Sequence, residues 1–189
     1  QWDGSISVAP QERTIYIDYL KRTIWISFWV LFYSIAIGYP MAYLIATVGK
    51  RLSRILLILV LLPFWTSLLV RTAAWVVLLQ NKGIVNDILL FTGLTSDPLT
   101  LIFNRLGVYI AMVHILVPFL ILPLYAVMKN IPESHMRAAS SLGARPLAAF
   151  LSVYLPQTLP GLGAGCLLVF ILSLGFYITP ALIGGPSDQ

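Results

Sequence analysis

Long apolar runs are the feature that most constrains how this chain of 189 residues folds. Four stretches, residues 24–46, 55–79, 106–128 and 158–183, are each long enough to cross a membrane, because about 20 helical residues span the hydrocarbon layer. Lipid cannot form hydrogen bonds with backbone N–H and C=O groups, so a spanning segment must be a helix or part of a closed barrel. The sequence lacks the alternating ten-residue strands of a barrel. The predicted fold class is therefore an all-α polytopic membrane protein, one domain over residues 1–189 with four visible spans.

The high hydrophobic content and low charge of the chain also indicate a membrane protein. The chain is 59% hydrophobic and 10% charged, whereas about 25% charge is usual in soluble domains. The net charge of +5 comes without a dense basic tract beyond Lys21-Arg22 and Lys50-Arg51, so we expect membrane flanks and no nucleic-acid partner. The single cysteine, Cys166, excludes an intrachain disulfide.

Loop charges predict the orientation of the spans. The loop 47–54 carries three basic residues and no acid, whereas the connection 80–105 carries Asp87 and Asp97 beside two basic residues. Basic loops are retained in the cytoplasm, so 47–54 and 129–157 are expected inside. The connection 80–105 and both chain ends are then expected outside. The polar ends also suggest a piece of a longer protein.

Helix-disturbing residues are frequent in the spans. Proline removes a backbone donor and can kink a helix, which suits a moving pathway, although proline and glycine are also common in membrane helices generally. The prolines are Pro40, Pro63, Pro118, Pro123, Pro160 and Pro180. Gly161, Gly163 and Gly165 are expected to permit close helix packing.

The sequence contains no recognisable site that could supply the energy for transport. None of its seven acids falls within a predicted span, where a proton- or sodium-coupled transporter usually keeps one. A phosphate-binding loop, a metal-ligand cluster and a nucleophile–base arrangement are also missing from the sequence. We therefore expect no enzyme activity and no metal. Uphill transport would need energy from a partner, and a passive channel or a membrane scaffold stays open as an alternative.

The connection 129–157 is the predicted point of contact for such a partner. Pro132 and Pro146 each suit a first helical turn, Glu133 complements a helix N-terminus, and Gly143 suits the turn between two short helices. A loop lying on the membrane surface is the alternative.

Small and apolar residues follow within the same connection. Ala138, Ala139 and Ser140 are small enough for close approach by another protein, and Leu142 with Met136 supplies an apolar anchor.

This stretch resembles the EAA loop of ABC importer permeases. The match comprises Ala138, Ala139, Gly143, Val153-Tyr154-Leu155-Pro156 and Pro160-Gly161. Upstream, residues 62–75 (LPFWTSLLVRTAAW) and 118–125 (PFLILPLY) look like permeases of the spermidine/putrescine type, and the resemblance covers nearly the whole chain.

The resemblance implies a type I importer transmembrane domain in a bacterial inner membrane, with four of about six spans present here. It implies a second permease subunit, cytoplasmic ATPase subunits that bind the ATP, and an extracytoplasmic solute-binding protein, with no cofactor on this chain. The solute would be a polyamine or a similar small organic compound.

The resemblance also assigns ATPase coupling to residues of the loop, which are Glu133, Arg137, Ala138, Ala139, Leu142 and Gly143. Arg137 stands in the position of the family's glutamate. Glu133, one turn earlier on the same helix face, is a substitute for that acid, or else the partner carries one.

Polar and aromatic residues inside the spans are candidates for the translocation path. They are Trp65, Thr66, Ser67, Arg71, Trp75, His114 and Tyr177. Arg71 is the only charge well inside a span, at a cost of about 2 to 3 kcal/mol unless it reaches headgroups or a partner. It would repel a polyamine but bind a carboxylate. His114 is either a path residue or a satisfied interior group, and the aromatic residues suit either ammonium recognition or interfacial belts.

Overall fold

The computed structural model describes residues 10–176 and 178–184, which form helices, turns and loops without a strand. Within these ranges, three helices are long and apolar enough to cross a membrane, and a sharply bent pair makes a fourth candidate. The all-α fold class is confirmed.

The described helices, in chain order, are α1 (Pro10–Thr47), α2 (Lys50–Leu61), α3 (Leu68–Leu78), α4 (Ile84–Phe91), α5 (Arg105–Lys129), α6 (Glu133–Ser141), α7 (Pro146–Ala149), α8 (Leu155–Gly175) and α9 (Ile178–Ile183). A 3₁₀ turn, Leu62–Trp65, follows α2, and a π-helical segment, Phe150–Tyr154, joins α7 to α8. The third predicted span, 106–128, coincides with α5, whereas α1 extends well before the predicted start at residue 24.

Helix α5 lies at the centre and packs against α1 and α8. Leu116, Leu120 and Leu124 on α5 are fully buried. A Cβ atom added to Gly165 of α8 would lie 3.0 Å from the Leu120 carbonyl oxygen, and one added to Gly38 of α1 would lie 2.7 Å from the Leu120 Cδ2 atom. Both neighbouring helices therefore approach Leu120 closely because glycine faces it.

The predicted glycine packing holds for only part of the cluster. A Cβ atom on Gly161 would lie 2.9 Å from Val127, so Gly161 also permits close approach to α5. Gly163 faces open space, and its predicted packing role is wrong. The contacts follow the helical repeat of four residues, which Gly161 and Gly165 satisfy and Gly163 does not.

The predicted span over 55–79 is not one continuous helix. The two helical pieces on either side of residues 66–67 meet at a bend of 99°. Pro63 has no backbone N–H, and Thr66 has an extended backbone (φ −103°, ψ 146°). Ser67 then caps α3, its hydroxyl oxygen accepting a hydrogen bond from the Val70 N–H at 3.4 Å. By contrast, Pro40, Pro118, Pro123 and Pro160 lie inside helices.

The predicted span over 158–183 is also wrong at both ends. One helical piece runs from Pro146 to Gly175, including the π-helical segment, so the short helix predicted from Pro146 continues into the span instead of ending within the connection 129–157. It stops at Phe176, which is extended (φ −81°, ψ 104°). The ring of Pro180 would clash with the Phe176 carbonyl in a continuous helix, whereas it is tolerated in the first turn of α9.

Candidate functional site

A cavity of about 680 Å³ lies among α1, α2, α3 and α5. Its walls are almost wholly apolar, and side chains with polar atoms are contributed by Tyr33, Trp75, Tyr109 and His114. Clefts of this size with few polar groups are the usual form of a small-molecule site. The cavity is therefore the first candidate for a solute path.

Trp75 and His114, which the sequence suggested separately, form one pair in this cavity. The Trp75 Nε1–H donates to the His114 Nδ1 atom at 3.2 Å, and the two rings meet edge to face at 5.3 Å. Because an indole nitrogen can only donate, this hydrogen bond requires an unprotonated Nδ1. His114 is thus a neutral imidazole whose hydrogen lies on Nε2, and the pair joins α3 to α5.

Arg71 lies one turn before Trp75 on α3, on the same helix face. Its side chain is half-buried, and it is a helical neighbour of Trp75, which in turn bonds His114. The Nε atom is buried without a hydrogen-bond partner among the described residues. The structure therefore brings Arg71, Trp75 and His114 together.

Of the other described path candidates, Arg71, Trp65, Thr66 and Ser67 are not among the residues that line this cavity. Trp65 is 90% exposed. Thr66 donates to the Pro63 carbonyl at 2.8 Å, and Ser67 caps α3, so both hydroxyls stabilise the break between α2 and α3. Tyr177 lies outside the described residues.

A second candidate site is the connection between α5 and α8, which has the predicted helix–turn–helix form. Pro132 precedes α6, Gly143 adopts φ +82° directly after it, and Pro146 begins α7. A positive φ is accessible to glycine at little cost. We call residues 131–149 the elbow.

The charged pair on the elbow is internal to α6. A Glu133 carboxylate oxygen accepts from the Arg137 guanidinium at 2.5 Å, and both side chains are exposed. An exposed pair four residues apart contributes about 0.3 to 0.5 kcal/mol. Arg137, in the position of the family's glutamate, therefore partly neutralises the acid that was expected to replace it.

The apolar surface of the elbow differs from the predicted one. Leu142 is 88% exposed and Leu147 is 70% exposed, so both can meet another protein. Ala138 is exposed, but Ala139 is buried and Met136 packs inward against the core around Met128 and Tyr154. The predicted outward roles of Ala139 and Met136 are wrong, because the inner face of α6 needs apolar residues for packing on the bundle.

Two hydrogen bonds that the sequence did not reveal involve the start of α8. His135 of α6 bonds the Gln157 side-chain oxygen through Nδ1 at 2.8 Å. The Tyr39 hydroxyl of α1 bonds the Thr158 hydroxyl at 3.1 Å. These partners are 22 and 119 residues apart, and periodicity carries no signal for such pairs. The first bond fixes the elbow to α8, and the second fixes α8 to α1.

Ligand chemistry is limited in the part of the chain that the structure describes. It holds no group of three or more His, Cys, Asp or Glu side chains that could bind a metal ion. The cavity and the elbow are therefore the two features to which a function can be attached.

Comparison with known proteins shows what the chain is similar to. A family model described as "Binding-protein-dependent transport system inner membrane component" matches residues 34–188. The spermidine/putrescine transport system permease protein PotB of Escherichia coli (strain K12) is 35% identical over 154 residues, covering 82% of this chain and 56% of that protein. The protein of the same name from Haemophilus influenzae is 40% identical over 149 residues, 79% of this chain and 52% of that protein.

A further relative covers more of the chain. The inner membrane ABC transporter permease protein YdcU of Escherichia coli (strain K12) is 35% identical across 97% of this chain and 66% of its own length. The chain spans about half the length of the PotB proteins it matches. These relatives are transport permeases and not enzymes.

Proposed function

Because the chain belongs to the family of binding-protein-dependent transport system inner membrane components, we propose that it forms one membrane-spanning half of an ATP-driven solute importer. The observation that carries the proposal is the family match over residues 34–188, which includes the elbow and every lining residue of the cavity except Tyr33. Membership also places the chain in the inner membrane.

The elbow is the proposed docking point of a cytoplasmic ATPase, which binds and hydrolyses the ATP. Its exposed residues Glu133, Arg137, Ala138 and Leu142 are the proposed contacts, and Gly143 sets the turn that presents them. Leu147 extends the same apolar surface. This assignment needs the elbow on the cytoplasmic side, in agreement with the basic loop at 47–54.

The cavity is the proposed path of a polyamine or a similar small organic solute. Relatives named for spermidine and putrescine transport support this solute class. A second permease subunit would close the path on the side that this chain leaves open, and an extracytoplasmic binding protein would deliver the solute. Many apolar side chains on α1, α2 and α3 remain exposed, and such surface is suited to lipid or to a second subunit.

Reconstitution tests the proposal. The full-length permease, purified with its ATPase and second permease, is inserted in liposomes and given the binding protein and radiolabelled spermidine or putrescine. We expect concentrative uptake with ATP and none with a non-hydrolysable analogue. Uptake that is equal without ATP would identify a passive channel, and a permease that retains no ATPase during purification would identify a scaffold.

A further inference from the structure

Arg71 and His114 present hydrogen-bond donors that have no matching acceptor among the described residues. Since the His114 Nδ1 atom accepts from Trp75, the remaining polar atom of the imidazole is the Nε2–H, a donor. A guanidinium group contains donors only. The Arg71 Nε–H is buried without a partner among the described residues, one helical turn before the cavity residue Trp75.

The helices around the cavity cannot supply a carboxylate to this cluster. The sequences of α2, α3 and α5 contain no acidic residue. The acids of α1, Glu12 and Asp18, precede its first cavity residue, Tyr33, by at least 15 positions, or roughly 22 Å along a helix. A carboxylate partner for Arg71 must therefore come from outside these four helices, and neither Asp87 nor Asp97 forms an ion pair with it in the described structure.

A carboxylate is the acceptor that fits this edge best. A guanidinium group binds carboxylate oxygens through two parallel hydrogen bonds, and its charge is poorly tolerated in an apolar membrane region without a counter-charge. The neighbouring Nε2–H of His114 can donate to the same anion. Trp75 keeps this donor available by occupying the opposite side of the imidazole ring.

We infer that Arg71 and His114 form a carboxylate-binding site at the edge of the cavity. The carboxylate has two sources, the solute itself or an acidic side chain of the second permease subunit. A solute with ammonium groups only would be repelled by an uncompensated Arg71, so a polyamine path requires the second source. This inference rests on the proposed function, because only an importer of this kind would supply the carboxylate from a solute or from a second permease subunit.

Variants of the complete permease complex test the inference. Arg71→Gln removes the charge, Arg71→Lys keeps it without the paired donors, and His114→Asn keeps an acceptor for Trp75 but removes the Nε2–H. Lys82→Gln is the matched control, because Lys82 is an exposed cation outside the cavity. Thermal unfolding of each purified complex is measured in sodium acetate, sodium chloride and methylammonium chloride at equal ionic strength.

If the solute supplies the carboxylate, acetate raises the Tm of the unmodified complex, and Arg71→Gln abolishes that rise. Uptake of 4-aminobutanoate then shows a KM raised about tenfold or more in Arg71→Gln. The His114→Asn change has the same direction and a smaller size. Arg71→Lys falls between the unmodified protein and Arg71→Gln.

If the second subunit supplies the carboxylate, acetate has no effect and Arg71→Gln lowers recovery of the intact complex. Neutralising one carboxylate in the spans of that subunit then restores it. The inference is overturned if Arg71→Gln and His114→Asn match Lys82→Gln in acetate response and in assembly. These two readouts need no transport, so an unmodified complex that imports neither probe would count against the proposed function alone.

Discussion

Replacing Gly143 by alanine tests whether the shape of the elbow controls coupling to an ATPase. Gly143 has φ +82°, and a Cβ atom placed there would meet no other atom within 4 Å. The cost of the change is therefore backbone strain alone, about 1 to 2 kcal/mol for an L-residue in this region. At 1.4 kcal/mol per factor of ten, the turn would hold its geometry about 5 to 30 times less favourably.

The assay is ATP hydrolysis by the reconstituted complex, stimulated by solute-loaded binding protein. We expect Gly143→Ala to reduce the stimulation several-fold and Gly143→Asn to reduce it less, because asparagine enters this backbone region more readily. Gly143→Pro should abolish it, since proline fixes φ near −65° and removes the N–H that bonds the Ser140 carbonyl at 3.0 Å. Membrane insertion should be unchanged.

Gly93 provides a matched control. It has φ +71°, and a Cβ atom added to it would likewise meet no other atom within 4 Å, so Gly93→Ala carries the same strain outside the elbow. Full stimulation in Gly143→Ala, or an equal loss in Gly93→Ala, would refute a specific role for the elbow turn.

Three further changes test the packing and the surface, each by thermal unfolding of the purified protein. Gly165→Ala should destabilise it by about 1 to 3 kcal/mol through overpacking against α5, whereas Gly163→Ala, which faces open space, should be neutral or stabilising; equal effects would contradict the close approach. Asn86→Ala should cost about 1 to 3 kcal/mol or more, because the buried side chain bonds Gln80 once and Leu99 twice, and an unchanged Tm would contradict that role. Glu133→Gln should change the free energy of unfolding by less than about 0.5 kcal/mol, so a loss of ATPase stimulation in that variant would indicate that Glu133 contacts a partner. A large drop in Tm would instead show that Glu133 is needed for the fold.

Helix existence was more predictable from the sequence than helix continuity. Hydropathy located α5 within one residue at each end, because burial in lipid or protein needs the same apolar run. Hydropathy could not distinguish one long helix from two meeting at 99°, since the two pieces together are long and apolar enough for one span. The decisive residues were Pro63, Thr66 and Ser67, whose capping and extended backbone are local effects.

Candidate site residues were predictable by type but not by partnership. Arg71, Trp75 and His114 stood out as polar or aromatic groups in apolar runs. Their meeting depends on the break before α3, which directs Trp75 toward His114, 39 residues away. Tyr33 and Tyr109 were missed because the sequence does not show which tyrosines of a membrane helix face a cavity.

The two walls of the cavity differ in how firmly they are held. Helix α8 continues the elbow without an intervening loop, and glycines fix it closely against α5. A force on the elbow therefore passes through one helical piece into the α5 wall. The opposite wall consists of α2 and α3, which are connected by the break over residues 62–67. The Trp75–His114 hydrogen bond links α3 to α5. Hinges commonly lie where helices end, so movement of α5 relative to α2 would change the cavity beside Arg71. The proposed carboxylate site, through Arg71, thus lies directly after the break over residues 62–67, where such a hinge is expected.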